Sequence, residues 1–150
     1  MPTIERTVTT SAGIDEVWAF MSDFTTTEQW DPPTVSTVRA SGDGGVGTTY
    51  QNTSRVLGHE TDIVYTVIEH RAPNLLRLNG ESATFTAQDT IALSVVDERT
   101  VLLYTADFTF TGATKLATPA LNLALQKVGD DAAEQMTACL DAIGPNASPS

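Results

Sequence analysis

The feature that most constrains this fold is one long amphipathic segment at the end of a chain otherwise patterned as strands. Apolar residues recur there every three or four positions: Leu121, Leu125, Val128, Ala132, Met136, Cys139 and Ile143. This period predicts a single long α-helix with one buried face. Thr118-Pro119 is expected to form its start, unless the helix begins about one turn earlier, and Gly144-Pro145 is expected to end it.

Six consecutive segments before this helix have the alternating, β-branched pattern of strands. They are Val35–Ala40, Thr48–Val56, His59–His70, Leu75–Asn79, Thr84–Val96 and Thr100–Thr111. Short turns join them and leave no room for crossover helices. The order therefore favours one antiparallel meander over βαβ units.

The N-terminal part adds one strand and two short helices. Thr3–Thr10 alternates as a strand, Ile14–Met21 has a helical period, and Phe24–Trp30 is a second short helix that Asp31-Pro32-Pro33 ends. We therefore predict one α+β domain over residues 1–150, with residues 146–150 as a polar tail. Its seven-stranded antiparallel sheet should curve through strand twist and wrap around the C-terminal helix, with a ligand cavity between them.

Composition excludes several classes of partner. The net charge is −11 and the eight basic residues are scattered, which argues against nucleic acid. No run of about 18 apolar residues predicts a membrane span, and the first residues lack the apolar stretch of a signal peptide, so a cytoplasmic location is expected. The single cysteine allows no intramolecular disulfide.

Strand parity predicts which side chains face the cavity. The candidate ligand-binding residues are Trp30, Tyr50, Asn52, Tyr65, Phe85, Ile91, Tyr104, Phe108 and, on the long helix, Leu125. An apolar wall with a few polar groups is typical of small-molecule sites. The tyrosines could equally be core residues with their hydroxyls at a wet edge, and Trp30 could cover the cavity entrance or pack in the core.

Asp89 and His59 are the candidate acid–base residues. Asp89 shares the parity of apolar neighbours, so its carboxyl must be paired, protonated or hydrated, unless a β-bulge turns it outward. A dry carboxyl would have a raised pKa, which suits a general acid or base. His59 titrates near neutrality and could be a base, or it could be an exposed turn residue beside Gly58.

Motifs for other chemistries are missing from the sequence. No spacing of histidine, cysteine or carboxylate residues resembles a metal site, so neither a metal nor a cofactor is expected. The glycine-rich stretch at residues 42–47 leads into a strand and not into a helix, which argues against a phosphate cradle. There is no Gly-x-Ser-x-Gly elbow of a serine hydrolase.

Several short motifs give the chain a family resemblance. They are Asp15-Glu16-Val17-Trp18, Asp23-Phe24, Trp30-Asp31-Pro32, Gly47-Thr48, Thr100 with its alternating strand, and Gly112 before the long helix. Together they resemble the START-like or Bet v 1-like (SRPBCC) superfamily, and within it the bacterial proteins of polyketide cyclase/dehydrase type. Ile14 departs from the pattern, because relatives often carry proline there. The resemblance extends from Thr3 to about Ile143.

The resemblance implies a helix-grip fold and a cavity for hydrophobic ligands such as polyketides, lipids, sterols or quinones. It implies no fixed catalytic set, since members include cyclases, dehydratases, hydrolases, carriers and receptors. The first functional hypothesis is therefore a carrier or sensor of a hydrophobic small molecule. The alternative is a polyketide cyclase/dehydratase that uses acid–base residues of the same cavity, and a third is a module that binds a partner protein. The chain could be a monomer or a homodimer.

Overall fold

The computed structural model describes residues 2–56, 58–111 and 119–145. The strands are β1 Thr3–Thr10, β2 Thr34–Ser41, β3 Thr49–Val56, β4 His59–Arg71, β5 Leu75–Glu81, β6 Phe85–Val96 and β7 Arg99–Phe110. The helices are α1 Ile14–Met21, α2 Thr27–Trp30 and α3 Pro119–Ile143, and a 3-10 helix, Phe24–Thr26, leads into α2. The predicted order of elements is confirmed. The predicted cap at Thr118, Gly112 and the polar tail lie outside the described residues.

All seven strands form one antiparallel sheet in the order β1-β7-β6-β5-β4-β3-β2. Strands β2 to β7 follow one another as the predicted meander, and β1 closes the sheet by pairing with the last strand, where Thr3 faces Asp107. The α+β helix-grip architecture, with a curved sheet around a long C-terminal helix, is therefore confirmed. None of the described helices is long and apolar enough to cross a membrane.

Polar contacts hold α3 along the first strand of the sheet. The guanidinium of Arg6 donates to the carbonyl oxygen of Gln126 and to the carboxylate of Asp130, each at 3.0 Å. Near the other end of the helix, the Thr10 hydroxyl donates to Asp141 at 2.8 Å. These bonds place the helix over one edge of the sheet.

Gly129 allows the closest approach of α3 to β1. A Cβ atom at this position would lie 2.7 Å from Cγ2 of Ile4 and 3.0 Å from Nη2 of Arg6. Such distances are far inside van der Waals contact, so a larger residue would push the helix away from the strand.

Strand parity holds along most of β6. In β6, Ala87, Asp89, Ile91 and Leu93 are buried while Gln88 is exposed. The pairing of β6 with both neighbours runs without a register shift, so the bulge that could have turned Asp89 outward does not occur. Val95 has the same parity as Leu93 but lies near the end of β6, where its side chain is exposed.

Candidate functional site

A cavity of about 390 Å³ lies between the concave face of the sheet and α3. The predicted site residues that line it are Trp30, Asn52, His59, Tyr65, Phe85, Asp89, Tyr104, Phe108 and Leu125. The residues that the sequence-based site did not include are Ile4, Phe24, Thr27, Asp31, Pro33, Ser54, Val56, Thr61, Ile63, Thr84, Phe110, Leu121, Val128, Gly129 and Ala132. The lining is mostly apolar with a few polar groups, as is usual for a small-molecule site.

Tyr50 and Ile91 are not among the residues that line this cavity, and this corrects their placement in the site. Tyr50 is almost fully buried, and its ring lies 5.9 Å from that of Phe24, between the sheet and the 3-10 helix. Ile91 is fully buried and pairs with Leu76 of the neighbouring strand. Both face the predicted side of the sheet, but they lie at the end of it that α1 and the 3-10 helix fill.

Three phenylalanines form an apolar wall at one end of the cavity. Phe85 of β6 has its ring centroid 5.8 Å from that of Phe108 and 5.6 Å from that of Phe110, both on β7. These three side chains are only partly buried, because strand pairing brings them together beside open volume. From the opposite side α3 contributes Leu121 and Leu125. The wall can bind the apolar body of a ligand.

Asp89 is the principal polar group inside the cavity. Its residue is 4 % exposed, and its Oδ2 accepts a hydrogen bond from the Tyr104 hydroxyl at 3.1 Å. The pKa of Asp89 is raised to about 7, mainly by burial and also by the charge of Asp31, while the hydrogen bond from Tyr104 lowers it and offsets part of the effect. The carboxyl therefore exchanges its proton near neutral pH.

Asp31 is a second acid of the cavity that the sequence interpretation had assigned only to the end of a helix. Although the residue as a whole is half-buried, desolvation of its carboxyl raises the pKa to about 6, against the lowering effect of a 2.6 Å bond from Thr34. Asp31 directly follows Trp30, which is almost fully buried where α2 ends, and this places its carboxyl beside the cavity.

Asn52 belongs to a polar network that supports Asp31. Its Nδ2 donates to Thr37 at 2.8 Å and to Thr34 at 3.2 Å, while its Oδ1 accepts from Ser54 at 2.7 Å. Because Thr34 donates in turn to Asp31, this network joins β2 and β3 to the end of α2. The amide of Asn52 thus has protein partners on both its atoms and holds the wall in place.

Two tyrosines supply neutral hydroxyl groups beside the carboxyls. Burial raises the pKa of both Tyr65 and Tyr104 well above the ordinary value, and the charges of Asp89 and Asp31 raise it further. Both phenols therefore remain protonated and can donate. Gly80 makes room for Tyr65, since a Cβ atom there would lie 2.7 Å from the tyrosine ring.

Trp30 and His59 lie at different depths. Trp30 is almost fully buried, its indole nitrogen donates to Thr26 at 3.2 Å, and its ring packs edge-on to Tyr104 at 5.5 Å. It is therefore both core and cavity wall. His59 is exposed where β4 begins, opposite Val56, and contributes to the rim of the cavity. The imidazole lies at the boundary with solvent, apart from the dry carboxyl environment of Asp89.

Solved structures share this fold at low sequence identity. The START superfamily protein from Mycobacterium smegmatis aligns with a TM-score of 0.77 and 12 % identity, covering 94 % of this chain and 98 % of that one. The Zhui aromatase/cyclase from Streptomyces sp. R1128 aligns with a TM-score of 0.78 and 18 % identity, covering 95 % and 98 %. TTHA0849 from Thermus thermophilus has a TM-score of 0.71 at 14 % identity, covering 92 % and 99 %.

Sequence comparison gives the family more directly. No curated protein matches the chain. A family model described as polyketide cyclase / dehydrase and lipid transport matches residues 1–141, nearly the whole length. The chain shares its fold with the START superfamily protein and the aromatase/cyclase, and by the family model it belongs to the polyketide cyclase / dehydrase and lipid transport family.

Proposed function

We propose that this protein binds a hydrophobic small molecule, such as a polyketide or a lipid, in the cavity between the sheet and α3, as a carrier or sensor. The observation that carries the proposal is the cavity itself, about 390 Å³ with an apolar wall and a separate polar end. Burying a ligand of this size against Phe85, Phe108 and Leu125 would remove apolar surface from water, which favours binding at about 25 cal/mol per Å² before the costs of association.

The polar end would fix the orientation of the ligand. Tyr65 and Tyr104 remain protonated and donate, whereas Asp89 and Asp31 exchange protons close to neutral pH. A ligand with one polar group at the end of an apolar body would therefore bind in a defined direction. Polar groups placed in this way determine specificity, while the apolar surface supplies most of the affinity.

The test is to fill the cavity from the helix side. Leu125→Trp adds bulk at a residue that lines the cavity, and the matched control Leu123→Trp adds the same bulk on the same helix where the side chain is 71 % exposed. Native mass spectrometry of the purified proteins should detect a co-purified organic molecule in the parent and the control, and lose it in Leu125→Trp. Equal retention in both variants, with a cooperative thermal transition in each, would contradict the proposal.

A second function, as a polyketide cyclase/dehydratase, is favoured by one specific observation. Asp89 has a pKa of about 7 beside a phenol that remains protonated, and a catalytic base is most effective when its pKa lies near the working pH. The carboxylate would take a proton from the carbon next to a ligand carbonyl, while Tyr65, whose phenol also lines the cavity and remains protonated, donates a hydrogen bond to the developing enolate oxygen. The enolate carbon could then attack a second carbonyl, whose oxygen takes up the proton, and loss of water would follow.

The first of these steps can be measured on a simple ketone. β-Tetralone in deuterated buffer should exchange its acidic carbon-bound protons faster in the presence of the protein, as followed by NMR. Asp89→Asn should lower the protein-dependent rate by about 100-fold, since general acid–base groups contribute 10²–10⁴. The exposed Asp62→Asn is the control for the same chemical change. If the protein does not accelerate the exchange, the cyclase/dehydratase function is wrong and the carrier or sensor function stands.

A further inference from the structure

The charges within the cavity are of one sign. Among the described residues that line it, Asp31 and Asp89 are carboxylic acids, and none is a lysine or an arginine. Each carboxyl raises the pKa of the other groups around it, because Asp31 acts on Asp89 and both act on the phenols Tyr65 and Tyr104. The cavity therefore has a negative potential whenever its carboxyls are ionised.

Each of these carboxyls has an oxygen without a protein donor. Oδ2 of Asp89 accepts from Tyr104 and Oδ2 of Asp31 accepts from Thr34. Within the described part of the chain, neither Oδ1 has a hydrogen-bond donor. Asp89 is 96 % buried, since only 4 % of the residue is exposed, and it faces the cavity. A carboxylate oxygen that has no protein donor and faces a mostly apolar cavity is stabilised most by a charged donor, because a charge-assisted bond is about twice as strong as a neutral one.

Asp31 also borders an acidic depression on the outer surface. That depression is lined by Glu28, Gln29, Asp31, Pro32, Thr34, Asp131, Glu134 and Gln135. Among the described residues, the only ion pair made by its acids joins Asp131 to Lys127 at the exposed helix surface. One residue thus lines both the cavity and an acidic surface, and such a surface raises the local concentration of cations.

We propose that the ligand of this cavity is a hydrophobic amine, held through its protonated nitrogen by Asp89 and the charge of Asp31, with its apolar body against Phe85 and Phe108. This inference rests on the function proposed above and specifies the class of molecule. Carboxylate and phosphate ligands are disfavoured, because they would meet two acids and no described basic side chain in the cavity.

The amine and the protons compete for the same oxygens. Asp89 is surrounded by Asp31 from the end of α2, by Tyr104 and Asp107 from β7, and by Tyr65 from β4, with His59 at the rim. At low pH the carboxyls are protonated, and above a pH of about 7 both are ionised. Amine affinity should therefore rise with pH through this interval, and binding within it should release protons into the buffer.

Three probes of the same shape separate the possibilities. The probes are an alkylamine, an alcohol and a carboxylate that share a naphthyl group: naphthylethylamine, naphthylethanol and naphthylacetate. They differ mainly in the charge of the polar end. Isothermal titration at about pH 8 should rank the amine first and the carboxylate last, with the amine at least about tenfold tighter than the alcohol. Repeating the amine titration near pH 6.5 in buffers of different ionisation enthalpy should show proton release, and the alcohol should show none.

Asp89→Asn tests the assignment of the charge. The amide keeps the shape and an acceptor for Tyr104 but removes the ionisable group, so the preference for amine over alcohol should fall at least about tenfold. Asp31→Asn should have a smaller effect of the same sign, and the exposed Asp62→Asn should have none. Thermal melting establishes that each variant is folded.

The outcomes separate the two levels of the proposal. If amine and alcohol bind equally, or the carboxylate binds best, or Asp89→Asn keeps the preference, the amine inference is wrong while the hydrophobic site stands. If the parent binds none of the three probes, and Leu125→Trp also fails to change the co-purified molecules, the binding site and the amine inference are both wrong.

Discussion

The concave face of the sheet has two halves that differ in what covers them. In the packed half, Tyr50, Leu76, Ile91 and Leu102 are 1 % exposed or less and lie within one continuous hydrophobic core. The cavity half borders about 390 Å³ of open volume. Asn52, Asp89 and Tyr104 line it, and each lies on the same strand and the same face as one of the packed residues. On β3, β6 and β7 the boundary therefore falls between residues only two positions apart.

The difference comes from the elements that face the sheet. Over the packed half, α1 contacts β6, and Phe24 of the 3-10 helix packs against Tyr50 and Tyr65, with ring centroids 5.9 and 4.9 Å apart. Over the cavity half, α3 is the longest of the described elements that face the sheet, with Thr27 and Trp30 of α2 at the border, and its bonds to Arg6 and Thr10 hold it near β1. One continuous sheet can thus provide stability at one end and binding volume at the other.

The largest effect should come from truncating the packed half. Leu76 is fully buried, so Leu76→Ala should lower the free energy of unfolding by about 3 kcal/mol through lost burial and the space left behind. Leu103→Ala, on the outer face of β7 where the residue is 38 % exposed, should cost less than about 1 kcal/mol. Urea unfolding measures both, and equal losses would show that the two faces of the sheet do not differ as described.

The same boundary explains what sequence could predict. The periods of two and 3.6 residues predicted the strands, the long helix and the side of the sheet on which Tyr50, Asn52, Asp89 and Ile91 lie. The alternation of side chains shows which face of the sheet a residue occupies, but not how far along the strand the helices cover that face. Tyr50 and Ile91 were therefore assigned to the site, although they lie in the packed half. That extent depends on how α1 and the 3-10 helix fold back over the sheet, which is a tertiary property.

Asp31 was missed for a related reason. Its neighbours in sequence, Trp30 and Pro32, indicate the end of a helix, and an acid at such a place is usually solvated. Only the tertiary fold brings its carboxyl to the cavity and within electrostatic reach of Asp89. A site residue on a connecting segment is therefore harder to predict from the sequence than one on a strand, where the alternation of side chains shows which face it occupies.

A second prediction concerns the stability cost of the polar end. Folding raises the pKa of Asp89 from 3.8 to about 7, so the folded state keeps a proton that the unfolded chain releases between these values. The free energy of unfolding should therefore fall as pH rises from about 4 to about 7. Asp89→Asn cannot ionise and can still accept from Tyr104, so we expect it to be more stable than the parent by a few kcal/mol near pH 8, since each pKa unit is worth about 1.4 kcal/mol.

The control for this effect is its pH dependence. Near pH 4 the parent carboxyl is protonated in the folded state, so thermal melting should show little difference between Asp89→Asn and the parent. The exposed Asp62→Asn should leave the melting temperature nearly unchanged at both pH values. A variant less stable than the parent near pH 8 would mean that the buried carboxylate is compensated within the protein, against the placement of Asp89 at a ligand-facing surface.

The smallest effect on stability should come from the wall of the cavity. Phe108 is only partly buried and packs on Phe85 at a 5.8 Å centroid distance beside open volume. Phe108→Ala should therefore lower the free energy of unfolding by about 1 kcal/mol, mostly the loss of that ring contact, where a phenylalanine in a filled core would cost about 3–5 kcal/mol. The affinity for naphthylethanol should instead fall about tenfold, because the ring supplies apolar contact to the ligand. A loss of stability as large as that of Leu76→Ala, with unchanged affinity, would place Phe108 in the structural core and remove the distinction between the two halves of the sheet.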